Sequence, residues 1–372
     1  MQGAGAIYAT AMGNGERRDE DATLEGLLRA PACLLAFRGQ GSLAIFLHAT
    51  IRIRPESHAM RRARSLALLC AVPAAFLVAC APSQSAIVVF NAGSLSRPLR
   101  AALDSFALRA HVRVEQENSG SLETARKLID LHRTPDVIAL ADYEVFPQLL
   151  MPKYVTWYAD FARNRMVVAY TASSRFASEI NTNNWWQILQ RPGVQVGRAD
   201  PDLDPNGYRT LLTLQLAERY YRQPGLYDRL LAAAPARNVR PKEVDLLGVL
   251  QAGELDYIWS YESVAQATGL KYVQLPDSID LGSPGDSAFY ATAAIRVPGK
   301  TPTDTIAFRG QPIVYALSIP TAAPHREIAE RFVAFLLSAD GRRVLRAQQL
   351  DALDRPVLVG TGVPGTVQSA AR

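Results

Sequence analysis

Cysteine is scarce in this sequence: three occur in 372 residues, Cys33, Cys70 and Cys80. The body of the chain after Cys80 therefore has no thiol for a disulfide, a thiolate metal centre or a cysteine nucleophile. Histidine is nearly as sparse. Of five in the chain, only His111, His132 and His325 follow Cys80, and none lies in a candidate ligand loop, which leaves little for general-base catalysis. No apolar run is long enough to cross a bilayer as a helix, since Leu66 to Val78 falls short of the roughly 20 residues required. A basic run is missing as well. The chain has 40 Lys+Arg against 35 Asp+Glu, a formal +5, but residues 1–79 hold 9 of the basic and 6 of the acidic residues, leaving 31 against 29, or +2. With neither a basic stretch nor an aromatic ladder, the composition argues against nucleic acid as a partner.

What is present begins with a targeting signature. Met60 opens a basic segment (Arg61, Arg62, Arg64), an apolar stretch follows from Leu66 to Val78, and Leu77-Val78-Ala79-Cys80 ends it in the pattern at which bacterial lipoproteins are cut and lipid-anchored. The expectation is a lipoprotein signal peptide over 60–79, with lipid on Cys80 and the protein periplasmic or extracytoplasmic, held at the membrane by that anchor. A signal of this kind acts at an N-terminus, so Met60 is a natural start and residues 1–59 form an upstream segment with no assigned role.

Roughly 290 residues remain, enough for two lobes with separate cores. Their pattern alternates strand and helix. Ala86 to Phe90 reads as a buried strand, Leu99 to Leu108 as an amphipathic helix, Val112 to Gln116 as a strand, Ser121 to His132 as a helix and Asp136 to Leu140 as a third strand. This order predicts an α/β fold with a parallel sheet, whose ligand site lies beyond the carboxyl ends of the strands.

The loops at those ends are informative. Asn91-Ala92-Gly93-Ser94-Leu95 follows the first strand and precedes a helix, so Gly93 permits a tight turn while the Ser94 hydroxyl and the first helical amides can face an anion. Asn118-Ser119-Gly120-Ser121-Leu122 repeats this logic after the second strand, with Ser121 opening the helix. Each alone reads equally as an ordinary helix cap. Two at equivalent places in consecutive β-α units point to an oxyanion site.

With these loops in view, the chain resembles the substrate-binding lipoproteins of molybdate/tungstate ABC importers, in particular the archaeal-type tungstate-binding branch. The resemblance is carried by V-F-N-A-G-S-L from Val89, G-S-L-E-T-A-R-K from Gly120, D-V-I-A-L-A-D-Y from Asp136 and F-A-R-N from Phe161. It continues with D-P-D-L-D-P-N-G-Y-R from Asp200, R-P-K-E-V-D-L-L from Arg240 and G-E-L-D-Y-I-W-S-Y-E-S-V-A from Gly253, and ends with G-Q-P-I-V-Y-A-L-S-I-P from Gly310. It implies a two-lobe periplasmic binding protein of type II, acting as a monomer, with the ligand in the interlobe cleft. An ABC permease and its ATPase would be the partners, and tungstate or molybdate the ligand, with no resident cofactor. On these strings lobe one is expected at 86–168 plus 287–372 and lobe two at 169–286. The C-terminal helix Arg326 to Leu337 is expected to pack on lobe one through Ile328, Phe332, Phe335 and Leu336.

The resemblance also implies site residues. The tungstate branch uses acidic side chains that bind the metal atom directly and raise it towards six-coordination, with Asp204 in D-P-N-G-Y-R as first candidate and Glu262 in S-Y-E-S-V-A as second. Tyr261 is the implied hydrogen-bond donor to a ligand oxygen, beside Ser94 and Ser121. Plainer readings stand next to these. Asp204 before Pro205 is a common turn residue, Glu262 suits a solvated edge, and Glu243 at the start of its helix is a rival acid. Asn91 stands where the branch often has His, and Asn206 where Cys is frequent, which bears on selectivity among oxyanions. Alternatives are a binding protein for sulfate or phosphate on the same fold, or a serine hydrolase, which lacks a G-x-S-x-G elbow and a motif-borne base.

Overall fold

A computed structural model of the protein describes residues 86–299 and 303–372. The signal segment 60–79, Cys80 and the upstream residues 1–59 lie outside the described residues.

The first strand, β1 (Ala86–Ala92), lies between β2 (Arg113–Ser119) and β3 (Val137–Leu140) and runs parallel to both, with Val89 opposite Gln116 on one side and Val137 on the other. Burial on both faces explains its almost continuous apolar run: Ile87 and Val89 are inaccessible. Strand β2 is an edge, and its R-V-E-Q-E-N-S alternation turns charge to solvent. Helix α1 (Ser96–Ala110) joins β1 to β2, and α2 (Ser121–Ile129) joins β2 towards β3. The sheet then departs from the expected parallel arrangement. β4 (Trp157–Asn164), β12 (Ile313–Ser318) and β13 (Asp351–Gly360) extend it in the order β13-β4-β12-β3-β1-β2, and every pairing that involves β12 or β13 is antiparallel.

A second sheet has the order β7 (Val239–Arg240), β6 (Val196–Ala199), β8 (Tyr257–Tyr261), β5 (Met166–Tyr170), β9 (Lys271–Gln274). Its central strands separate their side chains with period two. Met166, Val168, Tyr257, Trp259 and Tyr261 enter the large core, while Val167, Ala169 and Ile258 form a smaller one with Leu246 and Leu250. Those two leucines come from α4 (Glu243–Gln251), and α3 (Pro205–Tyr221) covers the other face. A hairpin of β10 (Ala294–Pro298) and β11 (Thr305–Arg309) stands apart from both sheets.

Sheet membership sets the crossovers. β4 ends in the first sheet at Asn164 and β5 opens in the second at Met166, so Met166–Val168, expected in lobe one, pair with strands of lobe two. The turn is held at Arg165, whose Nη1 lies 3.3 Å from Asp280 Oδ2, while Met166 N–H donates to Asp280 O at 2.7 Å. The chain rejoins the first sheet at Ile313. Part of the preceding stretch, also expected in lobe one, packs on lobe two instead: Gln215 Nε2 donates to Ala294 O at 3.0 Å, and Tyr208 stacks on Phe308 at 4.8 Å.

Helix α6 (Arg326–Leu337) has the bounds its apolar spacing predicts. Phe332 and Leu336 are inaccessible, Ile328 and Phe335 pack at the margin of the same core, and Phe332 meets Phe106 of α1 edge to face at 5.4 Å. Phe332→Ala should therefore cost about 3–5 kcal/mol, transfer and cavity terms together. Urea unfolding monitored by tryptophan fluorescence checks this, and a loss below about 1 kcal/mol would mean the helix is not part of the cooperative core.

Candidate functional site

The two serine loops lie side by side because β1 and β2 are paired in register, Asn91 opposite Asn118 and Ala92 opposite Ser119. Asn91, fully buried, ties them together: its Nδ2 donates to Asn118 Oδ1 and to Ala92 O, both at 2.7 Å, and its Oδ1 accepts from Gln116 Nε2 at 3.1 Å. Beyond β1 the chain makes one 3-10 turn, Gly93–Leu95, before α1, and beyond β2 it enters α2 through Gly120.

Both serines are occupied on their acceptor side. Asn164 Nδ2 donates to Tyr315 Oη, and Tyr315 Oη donates in turn to Ser94 Oγ, each at 3.0 Å. Ser121 Oγ accepts from Ala141 N–H at 2.9 Å. A hydroxyl that already accepts has its own hydrogen left to donate, so Ser94 and Ser121, buried or nearly so, are set as donors to a negatively charged oxygen. The helix amides behave differently from expectation. Leu122 and Glu123 N–H of α2 both donate across the cleft to Leu203 O, at 3.1 and 3.3 Å. The approach is close enough that a Cβ on Gly120 would stand 2.2 Å from Leu203 O, which explains the glycine.

Lobe two presents carboxylates. Asp204 is the N-cap of α3, its Oδ1 accepting from Asn206 N–H at 2.9 Å, with Pro205 in the first turn. The turn reading thus holds, and Asp204 also ties two helices together, because Oδ2 reaches the first amide of α4, Glu243 N–H, at 3.0 Å. Glu243 accepts at Oε1 from Ser260 Oγ at 2.5 Å and Tyr261 N–H at 2.6 Å, while Oε2 is buried without a protein partner. Two further buried atoms without partners, Nδ2 and Oδ1 of Asn206, belong to the first turn of α3. Buried polar atoms are rarely left unpaired, and these three lie at the starts of α3 and α4, beside Asp204. Burial raises both carboxyls, Asp204 to about 6 and Glu243 to about 8, with the negative Asp204 adding to the effect on Glu243.

Tyr261 is fully buried, and its Oη accepts from Arg209 Nη1 at 2.9 Å, leaving its own hydrogen free to donate. Glu262 is not in this cluster. Its carboxylate, a quarter exposed, pairs with Arg165 Nε at 3.4 Å and accepts from Tyr272 Oη at 3.3 Å in an open groove it shares with Asp277, Arg346 and Asp351. The side chain follows Arg165 because α5 (Glu262–Ala267) starts where β8 ends, beside the crossover. The acid that the fold brings to Asp204 is Glu243. Among the described residues no group of three or more His, Cys, Asp or Glu is placed to hold a metal cation.

Residues 87–348 match a family profile described as bacterial extracellular solute-binding protein. The chain belongs to that family. Among its relatives is an uncharacterized solute-binding protein of Petrotoga mobilis, 45% identical over 271 residues, covering 73% of this chain and 84% of that one. The molybdate/tungstate-binding protein WtpA of Thermococcus kodakarensis is 36% identical over 307 residues, covering 74% and 85%. Two solved structures share the fold of this solute-binding protein: the periplasmic molybdate-binding protein of Azotobacter vinelandii (TM-score 0.53, 14% identity, 71% of this chain and 98% of that one) and the sulfate-binding protein SubI of Mycobacterium tuberculosis (TM-score 0.51, 15%, 77% and 90%). The fold is thus the type II periplasmic binding protein that the resemblance implied. The signal for Glu243 was present in R-P-K-E-V-D-L-L, an acid at a helix start. Its rank over Glu262 rests on pairing between β6 and β7, which brings α4 to Asp204.

The raised carboxyls set a pH dependence for the ligand-free solute-binding protein. A carboxyl whose folded pKa lies above its unfolded value keeps a proton that the unfolded chain releases, so stability falls as pH rises between the two values. For Glu243 that window runs from its ordinary value of 4.5 to about 8, and Asp160 and Asp280, also raised by burial, act in the same sense. Urea midpoints should decline from pH 5 to pH 8, and Glu243→Gln should flatten the decline. A midpoint that rises over this range would overturn the assignment.

Proposed function

We propose that this protein captures tungstate or molybdate in the interlobe cleft, outside the cytoplasm, and delivers it to an ABC permease and its ATPase. The observation that carries the reading is the donor set facing an acid pair. Ser94, Ser121 and Tyr261 all have their acceptor sides filled and hydrogens to give, which suits the oxygens of a tetrahedral dianion. Asp204 and Glu243 then discriminate among dianions. A buried carboxylate repels sulfate or phosphate strongly in a low dielectric, and sulfur or phosphorus gains nothing from it. Tungsten and molybdenum take further oxygen ligands, so for them the same carboxylates become bonds. The WtpA relative, named for molybdate and tungstate, supports the same choice.

A hydrolase is the weaker reading. The described neighbours of both serine oxygens are donors, Tyr315 Oη and Ala141 N–H, and neither takes a proton from a serine nucleophile. His325 bonds Asp136 at 3.2 Å, away from both.

Calorimetric titration with tungstate, molybdate, sulfate and phosphate tests the ligand. Asp204→Ala and Glu243→Ala should each weaken tungstate binding by tenfold or more, on the order of 1.4 kcal/mol, because a bond is lost and its neighbours are misaligned. Tighter binding by both would instead mean that they merely repel the ligand. Ser94→Ala or Ser121→Ala should cost about 1.5–3 kcal/mol, as for a donor to a charged acceptor, while Glu262→Ala should stay within about 0.5 kcal/mol.

The anchor belongs to the same proposal: Cys80 carries lipid after cleavage of residues 60–79. Cys80→Ser should move the protein from the membrane to the soluble fraction and abolish labelling by a fatty-acid probe. Persistent labelling of the serine variant would refute the lipoprotein assignment.

A further inference from the structure

Arg209 makes contacts beyond its bond to Tyr261 that the oxyanion site does not explain. It is 3% exposed, and no other Arg or Lys among the described residues is buried. A buried cation near a dianion site invites the reading that it grips the ligand. Its bonds go elsewhere. Nη1 donates to Ala141 O at 2.7 Å and Tyr261 Oη at 2.9 Å, and Nη2 lies 3.1 Å from Asp142 Oδ2. The Tyr208 hydroxyl also donates to Asp142, whose side chain is 4% exposed. Tyr208, Arg209 and Tyr261 belong to the lobe of the second sheet, whereas Ala141 and Asp142 follow β3 of the first.

The peptide between β3 and Asp142 is therefore held from two sides. Ala141 N–H donates to Ser121 Oγ, and Ala141 O receives the guanidinium. We infer that the Arg209–Asp142 pair is an interlobe latch that positions Ser121 through Ala141 and sets how long the oxyanion stays bound, rather than a charge that binds the oxyanion. The pair is neutral as a unit, so it gives the cleft no net positive charge. Opening the lobes would return both ions to water, and removing one partner in the closed form would strand the other without compensation. Such losses fall mainly on dissociation.

The latch rests on the oxyanion reading for its kinetic test, and has a second test that does not. In stopped-flow tryptophan fluorescence with tungstate, Asp142→Asn and Arg209→Lys should release ligand at least tenfold faster, about 1.4 kcal/mol, with association changed by less than about threefold. Tyr208→Phe, which removes a single hydroxyl, should release it faster by a smaller factor. If Arg209 bound the anion itself, Asp142→Asn would free a cation and slow release; that result, or wild-type release from all three variants, overturns the latch. Small-angle scattering without ligand supplies the independent reading. Asp142→Asn and Arg209→Lys should give a larger radius of gyration than the parent, and unchanged radii overturn the latch even if the parent binds neither tungstate nor molybdate.

Discussion

The acid pair Asp204–Glu243 is the constraint around which the rest of the cleft is arranged. Each carboxylate sits at the start of a helix, where the amide dipoles favour negative charge, and each is fixed by two donors before any ligand arrives. Burial nevertheless pushes both carboxyls upward. That conflict is costly to a fold and is retained where the groups have work to do. Under the proposed function, the carboxylates serve a ligand whose central atom accepts oxygen.

The opposing lobe solves the complementary problem. A hydroxyl is ambivalent until something occupies its lone pairs, and the Asn164–Tyr315–Ser94 chain and the Ala141–Ser121 bond remove that ambivalence. The cost of orienting the donors is met when the protein folds, not when it binds. Polar contacts also join the lobes: Leu203 O on the amides of α2, and Arg209 on Ala141 and Asp142.

Much of this was legible in the chain. Ala86–Phe90 and Asp136–Leu140 read as buried strands because both faces are covered, and Arg326–Leu337 read as a helix because one face is apolar and the other charged. The serine loops could be placed because each follows a strand and opens a helix. Other features were not legible. The antiparallel joining of β12 and β13 depends on strands far apart in sequence, and the crossover at Arg165 depends on Asp280, more than a hundred positions away. Local pattern is silent about such pairings.

The sequence by itself determined the layers, the two equivalent serine loops and the family, because these follow from short-range periodicity and from ordered strings of residues. Only the tertiary structure decided which acid meets Asp204, where the amides of α2 donate and what Arg209 grips. Glu243 and Glu262 look alike in sequence, each acidic and each opening a helix. What separates them is that the first amide of α4 meets Asp204 at the start of α3 while α5 faces the crossover, a distinction of long-range geometry that no local signal encodes.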